Sequence, residues 1–266
     1  MMNTTVHDNI DSIISVLASK VGNHIYSLKH TFLERRVNYR MRLLELEDFS
    51  DYMEYLTSDP DEVSLLCNSF SINVTKFFRD KQIWDSLSNE ILPKLAHNET
   101  IAAWSCGCAS GEEPYSVAIL LEEFLKTRKI DYTIYATDIS ECALEHAKKG
   151  IYTTENLTNV DGGLRSTYFT KITVKDFEIV SKLKTKITFK KSNMLDSHNN
   201  KFDIIFCRNV LIYYDRNAHE KIFNFFYRSL KENGFLILGQ DESMIGTKGN
   251  ELFSHTNPRN RIYKKI

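Results

Sequence analysis

The chain has 266 residues, 42% apolar and 12% aromatic, enough to build a core in one large domain or two modest ones. Its formal net charge of −1 excludes a general polyanion binder, so no nucleic-acid partner is expected and any charged partner must meet a local patch. The cysteines, Cys67, Cys106, Cys108, Cys142 and Cys207, fit neither a zinc site nor a thioredoxin-type pair. They read as small buried residues of a reducing compartment, and no metal centre is expected. Met1 to Asp11 contains no basic region followed by an apolar stretch, and no apolar run approaches membrane-spanning length. A cytoplasmic protein without direct membrane insertion is expected.

The first ~80 residues read as helical. Ile10, Ile13, Ile14 and Leu17 recur at helical spacing, and Leu28 to Leu46 carries a second stripe of Leu33, Val37, Met41 and Leu44. Lys29, Arg36 and Arg40 fall along one edge of that stripe, with Arg35 and Arg42 on another side. Residues 43–62 then hold eight acidic residues and no Lys or Arg. From Ile101 the texture becomes alternating. Ile101–Trp104, Thr133–Thr137, Phe202–Cys207 and Phe235–Leu238 read as strands. Pro114–Lys126, Ser140–Lys149 and Ala218–Leu230 read as helices, with Pro114 in a first turn, Ser140 as an N-cap and Asn233-Gly234 as a stop. This alternation implies an α/β doubly wound parallel sheet with helices on both faces. Residues 150–190 break the rhythm with Gly162-Gly163 and two β-like runs, Lys171–Val174 and Lys186–Phe189, and read as an inserted small β-subdomain. The expected domains are 1–80, helical with a linker, and 81–266, the α/β domain with its insertion at about 150–190.

The loop Cys106-Gly107-Cys108-Ala109-Ser110-Gly111-Glu112-Glu113 joins the first strand to its helix, where doubly wound sheets bind nucleotides. Small residues let backbone approach a ligand, with Gly107 and Gly111 the freest positions. The spacing matches neither a dinucleotide fingerprint nor a phosphate loop. The two glutamates would repel a phosphate and attract a cation. S-adenosylmethionine, with a sulfonium and an ammonium but no phosphate, fits this loop better than NAD or ATP; an ordinary tight turn is the plainer alternative. Asp138 ends the second strand, placed either to accept from both ribose hydroxyls or to cap the helix near Ser140. Asn193-Met194, after the β-like run Thr188–Lys191, could hold adenine or simply turn the chain.

Three segments resemble the CheR-type chemotaxis receptor methyltransferases. They are Ser71-Ile72-Asn73-Val74-Thr75-Lys76-Phe77-Phe78-Arg79-Asp80, Trp104-Ser105-Cys106-Gly107-Cys108-Ala109-Ser110-Gly111-Glu112-Glu113-Pro114-Tyr115-Ser116, and Phe202-Asp203-Ile204-Ile205-Phe206-Cys207-Arg208-Asn209-Val210-Leu211-Ile212-Tyr213-Tyr214-Asp215. Their order and separations also match, and the resemblance covers essentially the whole chain. It implies a Rossmann-like methyltransferase sheet behind a small all-helical domain. The implied reaction is methyl transfer from S-adenosyl-L-methionine to glutamate side chains of chemoreceptors for sensory adaptation, leaving S-adenosyl-L-homocysteine.

By the resemblance, Asn73, Thr75 and Arg79 close over the cofactor, with Arg79 on its carboxylate. Glu112, preferred over Glu113, meets the cationic end, and Asp138 takes the ribose. Asn193 and Met194 flank adenine, Arg208 and Asn209 complete the pocket, and Arg208 and Tyr213 orient the reacting groups. Lys29, Arg35, Arg36, Arg40 and Arg42 dock the cytoplasmic helical domain of the receptor. A monomer is expected. From the residues alone, Phe77 and Phe78 are core aromatics, Arg208 is an ion-pair partner of Asp215 or Asp203, Tyr213 is a packing residue and the basic helix is a solvated face that can pair with the acidic run at 45–62. The inserted subdomain resembles one that, in some relatives, captures a receptor's C-terminal peptide at a sheet edge. Two other functions remain in view: a methyltransferase with another acceptor, and a silent S-adenosylmethionine sensor. The chain departs from the family at Gly239-Gln240-Asp241-Glu242-Ser243, where relatives usually have Gly-His-Ser-Glu, and in the loop 106–111, where many have an alanine-rich stretch ending in Ser-Thr-Gly.

Overall fold

A computed structural model describes residues 2–70, 75–196 and 198–266. The chain forms two compact units, Met1–Ile72 with Tyr213–Lys221, and Asn73–Ile212 with Ile222–Ile266.

The smaller unit is helical: α1 (Met2–Val21), α2 (His30–Leu43), α3 (Phe49–Ser58) and α4 (Pro60–Ser69). The apolar stripes turn inward as their spacing demands, burying Ile10, Ile13, Ile14 and Leu17 of α1 with Leu33, Val37 and Met41 of α2. Asp48 caps α3 through Ser50 N, Asp59 caps α4 through Asp61 N, and Pro60 takes the first turn. A late segment completes this unit. Leu28 bridges Tyr214, Lys29 N donates to Tyr213 O at 2.9 Å, and the Tyr213 ring packs 4.8 Å from Phe32. The boundary expected at residue 80 falls at Ile72, because Phe77 and Phe78 fasten onto the larger unit. Phe77 is fully buried against Tyr152 and Phe169, and Phe78 N donates to Ser116 Oγ at 3.0 Å.

The rest of the chain runs α5 (Lys81–Ser86), a wider turn over Leu87–Ile91, α6 (Leu92–Leu95), β1 (Thr100–Cys106), α7 (Glu112–Leu125), β2 (Asp131–Asp138) and α8 (Glu141–Lys149). It continues with β3 (Ile151–Thr153), α9 (Gly162–Tyr168), β4 (Phe169–Lys171), β5 (Asp176–Ile179), α10 (Ser181–Lys184), β6 (Ile187–Lys191) and β7 (Phe202–Cys207). It ends with α11 (Arg216–Ser229), β8 (Leu230–Leu238), α12 (Gly249–Leu252), β9 (Phe253–Asn257) and β10 (Ile262–Lys265). Seven strands form one sheet in the order β6-β2-β1-β7-β8-β10-β9. Strands β6 to β8 are parallel and β10 is antiparallel to both its neighbours. β7 is buried at every position, in keeping with a run that is apolar except for Asp203, whose carboxylate accepts from Ala102 N at 2.7 Å. No described helix is long and apolar enough to cross a membrane.

A separate antiparallel sheet, β3-β5-β4, is the insertion. It differs from the expected 150–190. The run Lys186–Phe189 belongs to β6, paired to β2 through Ile134↔Ile187 and Ala136↔Phe189. A local β pattern specifies an extended chain but not which sheet receives it. Of the run Lys171–Val174, only Lys171 is strand.

Candidate functional site

In the large sheet the strand order reverses at β1, whose chain continues to β2 on one side while β7 lies on the other. Ligands bind outside the carboxyl ends of strands at such a switch point. Four predicted segments follow the carboxyl ends of four neighbouring strands: Asn193-Met194 after β6, Asp138 on β2, the Gly107–Glu113 loop after β1, and Arg208-Asn209 after β7.

The loop after β1 is built for close approach. Gly107 has φ +77°, and a Cβ there would lie 2.5 Å from Val210 Cγ2. Gly111 has φ +96°, with Ala147 Cβ and the Tyr152 hydroxyl both 2.8 Å from a Cβ. Any side chain at either position would be strained and would clash. Ala109 also takes a left-handed conformation, φ +47°. Its N–H donates to Asp138 Oδ2 at 2.8 Å, while Ser140 N donates to Oδ1 at 2.9 Å. Asp138 therefore ties the loop to the end of β2, and each oxygen keeps a lone pair for a ligand hydroxyl. The helix cap is Ser140, whose side chain accepts from Ala143 N at 3.2 Å. Burial pushes the Asp138 carboxyl up.

The two adjacent glutamates have different surroundings. Glu113 accepts from Ser105 Oγ at 2.8 Å and from Arg208 Nη1 at 3.3 Å. Burial raises its carboxyl and Arg208 pulls it back. Glu112 is 2% exposed, and its hydrogen-bond donors among the described residues are neutral, Ser110 Oγ at 2.7 Å and Asn156 Nδ2 at 3.3 Å, with His146 acting on it through charge but not through a hydrogen bond. Burial pushes Glu112 up too, opposed first by Ser110. An anion buried without a bonded cation attracts one.

Arg208 has 2% of its side chain exposed. Its Nη2 reaches Asp80 Oδ2 at 2.6 Å and Arg79 O at 3.0 Å. The expected partners Asp203 and Asp215 are engaged otherwise, Asp203 with Lys231 at 2.7 Å and Asp215 with Ala218 N at 2.7 Å. Arg208 thus joins the segment at 79–80 to α7 and the end of β7. Phe78 and Asp80 are left-handed at φ +49° and +60°, a strained turn held from several sides. Trp84 Nε1 also donates to Arg79 O, at 2.8 Å. Thr75 and the Arg79 side chain are half-buried, and Asn73 lies outside the described residues.

Among the described residues, the buried side-chain atoms without a partner include three at this site, the donors Asn193 Nδ2 and Arg208 Nε and the acceptor Asn209 Oδ1. Buried polar groups are normally satisfied, so each is suited to a ligand atom. Asn193 is otherwise an Asx turn, accepting from Leu195 N at 2.9 Å, and Met194 is buried. Asn209 is left-handed at φ +59°, a conformation asparagine tolerates. With Glu112, these atoms fit a ligand that offers acceptors at one end and a cation at the other, as S-adenosylmethionine does.

The other predicted site residues belong to the smaller unit. Tyr213 packs there on Phe32. On α2, Arg35 Nε donates to Thr31 O and Arg42 Nε to Asn38 O, with both side chains exposed, as is Lys29. Arg36 lies over the Phe32 ring at 5.3 Å. Arg40 takes the alternative reading of the basic helix, a pairing with the acidic run. Its guanidinium forks onto buried Glu62 at 2.9 and 2.6 Å, and Tyr52 OH donates to the same carboxylate at 2.8 Å. Sequence reasoning missed Ala109, Asn156 and Glu242, whose roles depend on contacts far along the chain. Ala109 lies in the small-residue loop already singled out and Glu242 in a segment where the chain departs from its relatives, while Asn156 carried no signal.

Residues 73–261 match the family described as CheR methyltransferase, SAM binding domain, and residues 8–71 match CheR methyltransferase, all-alpha domain. A Borreliella burgdorferi protein named Chemotaxis protein methyltransferase is 33% identical, over 92% of this chain and 91% of its own. Chemotaxis protein methyltransferase 2 of Vibrio cholerae is 31% identical, over 85% of this chain and 82% of its own. A solved structure, PKMT2 from Rickettsia typhi in complex with AdoHcy, is 18% identical, covers 53% of this chain and 21% of its own, and at TM-score 0.34 is too distant to bear on the site.

Proposed function

The chain belongs to the CheR methyltransferase family, and from that premise we propose that this S-adenosylmethionine-dependent enzyme methylates glutamate carboxylates of chemoreceptors, forming methyl esters. The observation that carries the reading is Glu112, a buried carboxylate without a bonded cation at the carboxyl end of β1. When bound, S-adenosylmethionine supplies a sulfonium methyl activated for direct displacement. A glutamate acceptor is already ionised at pH 7, its reference pKa being about 4.3, so no general base is required. The residues have the task of holding the parts in line.

Glu112 attracts the cationic end, and Asp138 accepts from the ribose. Asn193 and Met194 hold adenine, while Asn209 accepts from the ammonium. Arg79, with Thr75 and Asn73 of the same segment, meets the cofactor carboxylate, and Gly107 and Gly111 let backbone come close. Arg208 holds the 79–80 turn, positioning Arg79, and Tyr213 orients the acceptor. Lys29, Arg35, Arg36 and Arg42 dock an acidic receptor helix, and Arg40 serves the helical fold. A cytoplasmic monomer acting on the receptor's cytoplasmic helical domain completes the proposal.

The test is transfer of labelled methyl groups to receptor-containing membranes. Base-labile label is expected. Base-stable label would point to another acceptor chemistry, and cofactor binding without label would favour a sensor.

A further inference from the structure

The chain beyond β8 turns at Gly239, and three residues later Glu242 is 3% exposed. Its Oε2 accepts from Gly239 N at 2.6 Å and Asn209 N at 3.0 Å. Its Oε1 accepts from Val210 N at 2.7 Å and Leu211 N at 2.6 Å. Burial pushes the Glu242 carboxyl up, and these four backbone amides are what oppose that rise.

Three successive amides aimed at one point form a nest, a shape that ordinarily binds an anion. Here the chain fills the nest with its own carboxylate. The left-handed Asn209 is the nest's first residue, and its Oδ1 is buried without a partner. Gly239 closes the arrangement from the other side. A Cβ there would lie 2.8 Å from both Asn209 N and Glu242 Oε2, and 3.2 Å from Asn209 Cγ. The Asn209 amide is therefore oriented by contacts converging from residues 239 and 242.

We propose that Glu242 is a positioning residue for cofactor binding, fixing the Asn209–Leu211 backbone so that the Asn209 side chain faces the cofactor. This rests on the assignment of Asn209 above and not on the identity of the methyl acceptor. Replacing the carboxylate by an amide sets an NH2 donor against amide donors, and Asn209 is free to leave its left-handed conformation.

The test is a double-mutant cycle read by calorimetric titration with S-adenosylhomocysteine, which needs no acceptor. Glu242→Gln is expected to weaken binding about tenfold, the scale of one hydrogen bond to a charged group. In an Asn209→Ala background the same change should add less than about twofold, because the group it positions is gone. An equal loss in both backgrounds would overturn the proposal and leave Glu242 a purely structural residue. If Asn209→Ala alone leaves the affinity unchanged, the Asn209 assignment fails and the proposal fails with it. Should Glu242→Gln not fold, Gly239→Ala presses on the same asparagine with the carboxylate intact, and its loss should likewise vanish in the Asn209→Ala background. The base-lability assay reports separately on the acceptor.

Discussion

The helical unit and the α/β unit both bury glutamates, and they treat them differently. Glu62 is closed off, gripped by Arg40 and Tyr52. In the larger unit Glu113 has Arg208, and Glu242 has four backbone amides. Among the described residues, Glu112 differs from these in being held by a hydroxyl and a side-chain amide. The difference separates joints from sites. A satisfied buried carboxylate fastens elements together, while one without a bonded cation is a standing demand for a ligand.

If Glu62 is a joint, Arg40→Ala should cost about 3 kcal/mol of unfolding free energy, because it strands a buried carboxylate. Urea unfolding followed by circular dichroism measures this, and a change near zero would break the contrast. If Glu112 is a site, Glu112→Gln should weaken S-adenosylmethionine binding by about tenfold or more. The same variant should be slightly more stable without ligand at neutral pH. The sign follows from burial, which raises the Glu112 carboxyl above its unfolded value. Stability contributed by the protonated form is present below the unfolded pKa and lost as pH rises through the raised folded one, and an amide escapes that loss. A bound cation favours the ionised carboxylate. Cofactor binding should therefore release protons as pH falls into the Glu112 titration, and titrations in buffers of different ionisation heat read this directly. The smallest stability effect belongs to the exposed cations of α2. Arg35→Glu with Arg42→Glu should shift stability by no more than about 0.5 kcal/mol. Receptor methylation should fall clearly and cofactor affinity should hold; loss of both would mean that α2 is a joint throughout.

Much of the fold was legible because it is local. The apolar runs of β1, β2 and β7 and the Ser140 cap announce themselves within a few residues. The sheet that β6 joins was not legible, since its strand pattern says nothing of its partner. Within the candidate site, Gly107 and Gly111 stand out because left-handed backbone favours glycine. Glu112 and Glu113 look alike in sequence. What separates them is Arg208, 95 residues from Glu113, and Asn156, 44 residues from Glu112. For Arg40 the sequence leaves docking and pairing with the acidic run both open, because its partner lies 22 residues away in that run. Charge says that a residue seeks a counterion, and only the fold says whether it has found one.

The late segment Tyr213–Lys221, which completes the helical unit, bears on how the protein is made. A ribosome releases α1 to α4 first, but the Leu28–Tyr214 bridge and the Phe32–Tyr213 ring contact cannot form until most of the α/β unit has also emerged. The first unit to begin is thus among the last to be finished. A gene fragment ending near residue 72 would encode helices lacking part of their core, and a deletion of that region would leave Tyr213 and Tyr214 without these partners. The two units are distinct in architecture, yet they are not interchangeable cassettes.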